Sequence, residues 1–379
     1  MWSRDCGFEN MTPITLFLCG DVMTGRGVDQ VLPHPSMPGL HEDYVKSAAE
    51  YVELAQRANG PIPKPVDFSY IWGEAAHELE RVKPAARIVN LETSITTSEQ
   101  FEPKGINYRM NPANTPCLSA AKIDCCELAN NHLFDWGYSG LSETLTTLRR
   151  AGIKTAGAGQ NLAEALQPGV IDVGMAARVL VFGFGLTDSG IPGDWAATDT
   201  KPGIALLTGP LDKHVSRIGE RVHKVKWPGD MVVLSIHWGP NWGYQIPAEH
   251  RRFAHALIDD AAIDIVHGHS SHHPKPIEVY KGKPILYGCG DFLNDYEGIR
   301  GYEEYRSELV LMYFVTIDPA TAGLQRLDMT PLKIKRFRLN RMSHEDASWL
   351  RDTLNQEGRE TGTQVALTAE NRLVLEWSR

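Results

Sequence analysis

Ile14-Thr-Leu-Phe-Leu-Cys19-Gly20-Asp21 is a short apolar run that stops at a glycine and an acidic side chain. Its length and its turn-forming end read as a buried strand entering a loop. The same pattern returns downstream. Residues 86–92 end at Glu92, and 123–128 run into Ala129-Asn-Asn-His132. Residues 231–236 end at His237, and 263–266 end at His267-Gly-His269. Segments with helical spacing lie between or around these runs, at 42–58, 72–82, 112–121, 139–150, 211–222 and 247–261. Shorter strands are expected at 155–159, 170–173 and 178–183. Strand–helix alternation over the first two thirds predicts an α/β fold with a largely parallel sheet. Later segments add a hairpin at 277–280 and 284–287 through Lys281-Gly282, then strands at 309–317 and 332–339. A helix is expected at 343–357, and the last twenty residues carry a weaker pattern. The expected architecture is a four-layer α/β/β/α sandwich over residues 13–342, with an N-terminal extension (1–12) and a C-terminal appendage (343–379).

The 379 residues carry 38 Lys and Arg against 47 Asp and Glu, a net charge of −9. No long basic run exists, so a nucleic-acid partner is not expected. The start contains Arg4, Asp5 and Glu9 and no apolar signal region. Residues 14–19 are far short of the roughly 20 needed to span a bilayer. No membrane segment is expected, and the reading is cytoplasmic. The six cysteines, Cys6, Cys19, Cys117, Cys125, Cys126 and Cys289, form no Cys-x-x-Cys pair. They read as buried reduced thiols.

Five strand ends thus carry metal-ligating side chains: Asp21, Glu92, Asn131 with His132, His237, and His267 with His269. Each alone reads as a helix cap or a satisfied loop histidine. Their order points elsewhere, because open α/β sheets bind ligands outside the carboxyl ends of their strands. Imidazole and carboxylate suit zinc, manganese or iron, and an asparagine oxygen adds a neutral ligand. One or two divalent ions are therefore expected, held by Asp21, Glu92, Asn131, His237, His267 and His269. In an extended segment the side chains of His267 and His269 face the same way, and Gly268 permits close approach. His272 and His273 read as loop residues at the rim of the site. His34, His41, His77, His214, His223, His250 and His255 read as surface or core histidines.

Gly20-Asp-Val-Met23 with Arg26, Asn90-Leu-Glu92, Leu128-Ala-Asn-Asn-His132 with Asp135 and Gly137, Ser235-Ile-His-Trp-Gly239, Val266-His-Gly-His269, and Ile285-Leu-Tyr-Gly with Gly290-Asp-Phe292 resemble the CapA/PgsA capsule-synthesis family. That family is linked to poly-γ-glutamate production, and its fold is similar to calcineurin-like metallophosphoesterases. The resemblance covers about residues 13–318. It implies that Asp21 matches the aspartate of the first strand end and that Glu92 stands where a bridging aspartate would be. It implies further that Asn131 ligates metal, that His132 assists the leaving group, and that His237, His267 and His269 are ligands. Two departures stand out. Met23 occupies the position of an expected histidine, and Glu92 is one methylene longer than aspartate. Both make an oxygen-preferring ion such as manganese, magnesium or calcium more plausible.

Arg109 and Arg26 are candidates to grip a carboxylate or phosphate, with a surface salt bridge as the alternative for Arg109. Trp238, with Trp242 and Tyr244, is a candidate pocket wall, aromatic packing being the alternative. The implied function is a metal-dependent, hydrolase-like enzyme with His132 as catalytic residue. Its substrate would be a γ-glutamyl polymer, another anionic polymer, a peptide or a phosphoester, and the metal would activate a water or polarise a carbonyl. The alternatives are a metal-dependent peptide epimerase and a non-catalytic accessory protein working with polymer-synthesis proteins.

Overall fold

The computed structural model describes residues 12–174 and 177–378. The N-terminal extension, but for residue 12, and Cys6 lie outside the described residues. The opening run becomes the strand Ile14–Val22, extended past Gly20 and Asp21. It pairs in parallel with Ala86–Leu91 on one side. On the other side its first half pairs antiparallel with Leu309–Ile317. The short strand Asp291–Leu293 then takes over in parallel and sets Asp291 opposite Asp21. Gly20 sits at this change of partner. A Cβ there would lie 1.7 Å from the Gly290 carbonyl oxygen, so the approach of the two backbones requires glycine.

The molecule is a mixed α/β protein with two main sheets. Cys125–Glu127 and Lys154–Ala156 extend the parallel half of the large sheet. Leu324–Ile334, Leu373–Trp377 and Thr363–Leu367 extend it antiparallel on the far side. In the second sheet Arg178–Leu186, Met231–His237, Ile265–His269 and Lys283–Leu286 run parallel. Gly169–Asp172 and Ile277–Tyr280 are added antiparallel.

Strand alternation explains the cores. Leu16, Leu18, Ile88 and Cys125 of the large sheet share one apolar cluster with Val179, Val181, Val233 and Ile265 of the second. Phe17, Val89 and Cys126 point the other way, toward Val52, Leu79, Leu141 and Leu145 of the helices Ala48–Asn59, Gly73–Val82 and Gly137–Arg150. Leu180, Phe182, Val232 and Leu234 likewise meet Ile218, Val222, Phe253 and Leu257 of Asp212–Val225 and Ala248–Asp260. Strands covered on both faces read as continuous apolar runs, and each fully buried Val or Leu contributes roughly 1.5–3 kcal/mol.

Several boundaries differ from the sequence reading. The helix expected from residue 42 begins at Ala48, because Ser47 and Glu50 form a reciprocal capping box there. The strand expected to end at residue 266 continues as Ile265–His269, so both histidines lie inside it. The strand expected at 332–339 is two pieces, Leu324–Ile334 and Leu339–Arg341. The weakly patterned C-terminus forms Thr363–Leu367 and Leu373–Trp377, an edge hairpin whose half-exposed residues blur the alternation. Cys19, Cys117, Cys125, Cys126 and Cys289 are buried free thiols. Among the described residues no helix is long and apolar enough to cross a membrane.

Candidate metal centre

The carboxyl ends of the two parallel strand sets meet. The large sheet brings Asp21 and, just past its strand, Glu92. The second sheet brings His237 and His269. Asp21, His237 and His269 each offer a ligand atom within 4.8 Å of the others, all buried. His237 Nδ1 lies 2.9 Å from His269 Nδ1, and His269 Nδ1 lies 3.9 Å from Asp21 Oδ1.

A chain of hydrogen bonds fixes the imidazole protons. His267 Nε2 is 2.7 Å from the Cys19 carbonyl oxygen and must donate to it. A neutral His267 then accepts at Nδ1 from Ser235 Oγ, 2.9 Å away. Ser235 Oγ has spent its proton, so it accepts from His269 Nε2 at 3.0 Å. This leaves the Nδ1 lone pair of His269 aimed at His237 and Asp21. Burial keeps these rings neutral: it holds His267 down to about 4 and His237 and His269 well below the usual range. His237 Nε2 is 3.1 Å from Asn131 Oδ1. Two histidines and one carboxylate around a shared point suit manganese, iron or zinc.

The carboxylates suit the same purpose. Burial first and the neighbouring Asp291 second push Asp21 up to about 7. Burial and Asp21 hold Glu92 well above the carboxylate range. Glu92 Oε1 lies 3.7 Å from His132 Nε2 and 4.0 Å from His237 Nε2. Glu92 Oε2 is buried without a hydrogen-bond partner among the described residues, as is Glu127 Oε2. Unpaired buried carboxylate oxygens are costly, and a cation is a natural partner for them.

Of the expected residues, Asp21, Glu92, Asn131, His237 and His269 come together, with His132 beside Glu92. His267 is set behind the pocket, with both ring nitrogens engaged, and it orients His269 through Ser235. His132 Nδ1 is 2.6 Å from Asp135 Oδ2. Burial outweighs that carboxylate and lowers His132 to about 4, so the ring is neutral near pH 7.

Three further candidates have their side chains engaged by other protein groups, although Arg26 also lines the cleft beside His272. Arg109 pairs with Glu99 at 3.0 Å and lies over Trp136. Trp238 is buried, donates to the Tyr287 carbonyl and stacks on His250. Arg26 pairs with Asp295 and with Glu42 at 2.9 Å, and its guanidinium lies over Tyr51. Removing one partner of a buried ion pair costs roughly 3–5 kcal/mol. Arg26→Ala is therefore expected to lower thermal stability markedly while metal content stays at the parent level. An unchanged melting temperature would refute this structural role.

The sequence reading missed Glu127 and Asp291. Glu127 ends the strand Cys125–Glu127, and its Oε2 lies 3.7 Å from His269 Nε2. Its signal was a carboxylate set between Cys126 and Leu128 inside an apolar run. Asp291 lies in the Gly290-Asp-Phe292 motif, and it is set 2.8 Å from the nitrogen of His272. His272 is thus paired within the pocket, not merely at its rim. A cleft of about 840 Å³ opens beside His272, with Trp242, Asn294, Tyr296 and Arg300 among its walls.

Comparison with known proteins gives consistent relatives. The family described as bacterial capsule synthesis protein PGA_cap matches residues 15–296. A probable polyglutamine synthesis accessory protein of Mycobacterium tuberculosis is 48% identical over 366 residues, 96% of each chain. The PGA biosynthesis protein CapA of Bacillus subtilis is 26% identical over 317 residues, 83% of this chain and 70% of the relative. The capsule biosynthesis protein CapA of Bacillus anthracis is 26% identical over 323 residues, 85% and 68% of the two chains.

Proposed function

The chain belongs to the bacterial capsule synthesis protein PGA_cap family, and from that premise we propose that it is a divalent-metal-dependent protein acting on the amide backbone of a glutamyl polymer or peptide. The observation that carries the metal is the lone pair of His269 Nδ1, left free by the Cys19–His267–Ser235 chain and facing His237 and Asp21. The names of the relatives carry the substrate class. The two sheets, with apolar cores between them and beneath their helices, support reading the fold as the α/β/β/α sandwich of calcineurin-like metallophosphoesterases. Buried free thiols favour a reducing, cytoplasmic setting.

Asp21, His237 and His269 would hold the ion, with Asn131 and Glu92 adjoining. When bound, a divalent ion polarises a carbonyl or phosphoryl oxygen and acidifies water. The protein's own part is proton handling. Neutral His132, oriented by Asp135, presents Nε2 on the Glu92 side of the pocket. That placement serves hydrolysis of an amide or phosphoester, and equally removal of an α-proton in epimerisation.

A second reading is an accessory protein that holds the polymer for a synthesis machine. The word accessory in the name of the M. tuberculosis relative and Met23 at the first motif favour it. Elemental analysis and turnover on γ-glutamyl, peptide and phosphoester panels decide between the two. Near-stoichiometric metal is expected, with turnover abolished by a chelator and restored by Mn²⁺. Metal-free protein without turnover would leave only the accessory reading.

A further inference from the structure

We propose that Asp21, His272 and Asp291 form a second divalent-cation site, which shares Asp21 with the His237–His269 site and replaces the ligand lost at Met23. Ligand atoms of these three buried residues lie within 4.8 Å of one another. The site is built by the backbone. Asp21 and Asp291 are register neighbours on adjacent parallel strands, so both carboxylates emerge side by side. The backbone N–H of His272 donates to the Asn241 carbonyl at 2.9 Å, which anchors the loop that carries the imidazole. Asn294 Nδ2 donates to Asp291 Oδ2 at 2.7 Å and orients it.

Met23 itself offers nothing here. Its sulfur takes a contact from the Tyr296 hydroxyl at 3.5 Å, and a thioether is a poor ligand for a hard cation. A separate observation points to a cation. Glu92, whose backbone N–H donates to the carbonyl of Val22 next to Asp21 at 3.1 Å, adds a third buried carboxyl group, and its Oε2 is without a partner among the described residues. Carboxyl groups out of water hold protons or gather positive charge, and a divalent cation between Asp21 and Asp291 would displace those protons and that of His272. Two carboxylates and one imidazole make an oxygen-rich set, suited to Mn²⁺ or Mg²⁺. His272 and Asn294 also line the 840 Å³ cleft, so this is the cation that a substrate entering there meets first.

The inference rests on the metal reading above through the shared Asp21, and the test separates the two. The full chain is stripped with a chelator and reloaded with Mn²⁺ alone. Bound equivalents are counted after equilibrium dialysis, the electron paramagnetic resonance spectrum is recorded, and circular dichroism checks the fold. The parent should bind two equivalents and show an exchange-coupled pair, since one carboxylate serves both ions. Asp291→Asn and His272→Gln should each lose one equivalent and the coupled signal, and His237→Ala should lose the other. Two uncoupled ions, or an Asp291→Asn variant with parent stoichiometry and coupling, would overturn the shared second site. A single equivalent that depends on His237 but not on Asp291 would overturn it while leaving the first site standing. If the folded parent binds no Mn²⁺, both readings fall.

Discussion

Asp21→Asn is expected to weaken divalent-metal binding by at least about 100-fold, more than any other single substitution at the centre. Groups that merely orient metal ligands cost 10–100-fold when removed, and Asp21 is common to both groups of residues that could hold an ion. The same substitution should do the opposite to the stability of the metal-stripped protein. Folding lifts Asp21 from 3.8 to about 7, so between those values the folded chain holds a proton that the unfolded chain has released. Stability from this group therefore falls as pH rises from about 4 to about 7. By pH 8 the penalty is fully present, and Asn removes it. The buried histidines act in the reverse sense. His132 and His267, lowered to about 4, cost stability as pH falls from 6.5. They are present in both proteins and cancel in the difference. Denaturation of chelated parent and variant across pH 4 to 8 should show the advantage of Asp21→Asn growing with pH. Parallel curves, or a variant that retains its metal, would defeat the assignment of Asp21 as a buried shared ligand.

Which parts of this centre were legible in the sequence follows from how each part is encoded. A strand covered on both faces must be apolar, so a polar side chain at its end stands out. Asp21, Glu92, His237 and His269 were found in this way. Their convergence was legible only as a rule about carboxyl ends of parallel strands. That the ends of two different sheets face each other depends on the core shared by Leu16, Ile88, Val181 and Val233, and no local pattern shows it. His267 illustrates the limit. Spacing of two placed it on the same face as His269, correctly, since the rings are 5.3 Å apart. Whether a ring faces a cation or a carbonyl depends on the strand across from it, and Cys19 supplies a carbonyl. Arg26 shows the same limit: it lines the cleft beside His272, and its pairing with Glu42 and with Asp295, 269 residues away, has no local pattern. Glu127 was passed over because it lies inside its apolar run, before Leu128, and Asp291 because its three-residue strand is too short a run for periodicity to act on.

His132→Ala is expected to keep the parent's metal content and fold but to lower turnover by about 10²–10⁴-fold, the usual loss for an acid–base group. Assistance to a leaving group, the role the family resemblance implies for His132, needs a protonated imidazole, whereas burial keeps this ring neutral. Asp135 Oδ2 at 2.6 Å and Lys104 Nζ at 3.3 Å compete for His132 Nδ1. The shorter contact is the stronger, so Nδ1 carries the proton and donates to Asp135. Nε2 is then a lone pair 3.7 Å from Glu92 Oε1, placed to accept a proton. With burial holding the ring down to about 4, it remains a base throughout the neutral range. A base must be unprotonated to act, so turnover attributable to His132 should fall as pH drops through about 4, not through 6.5. Asp135→Asn should also impair turnover, since an amide that donates to Nδ1 would drive the proton to Nε2 and block acceptance. The competing view is that His132 and Asp135 only brace the loop after Glu127. In that case His132→Ala would lose melting temperature yet turn over at the parent's rate, and that result would remove His132 from the chemistry.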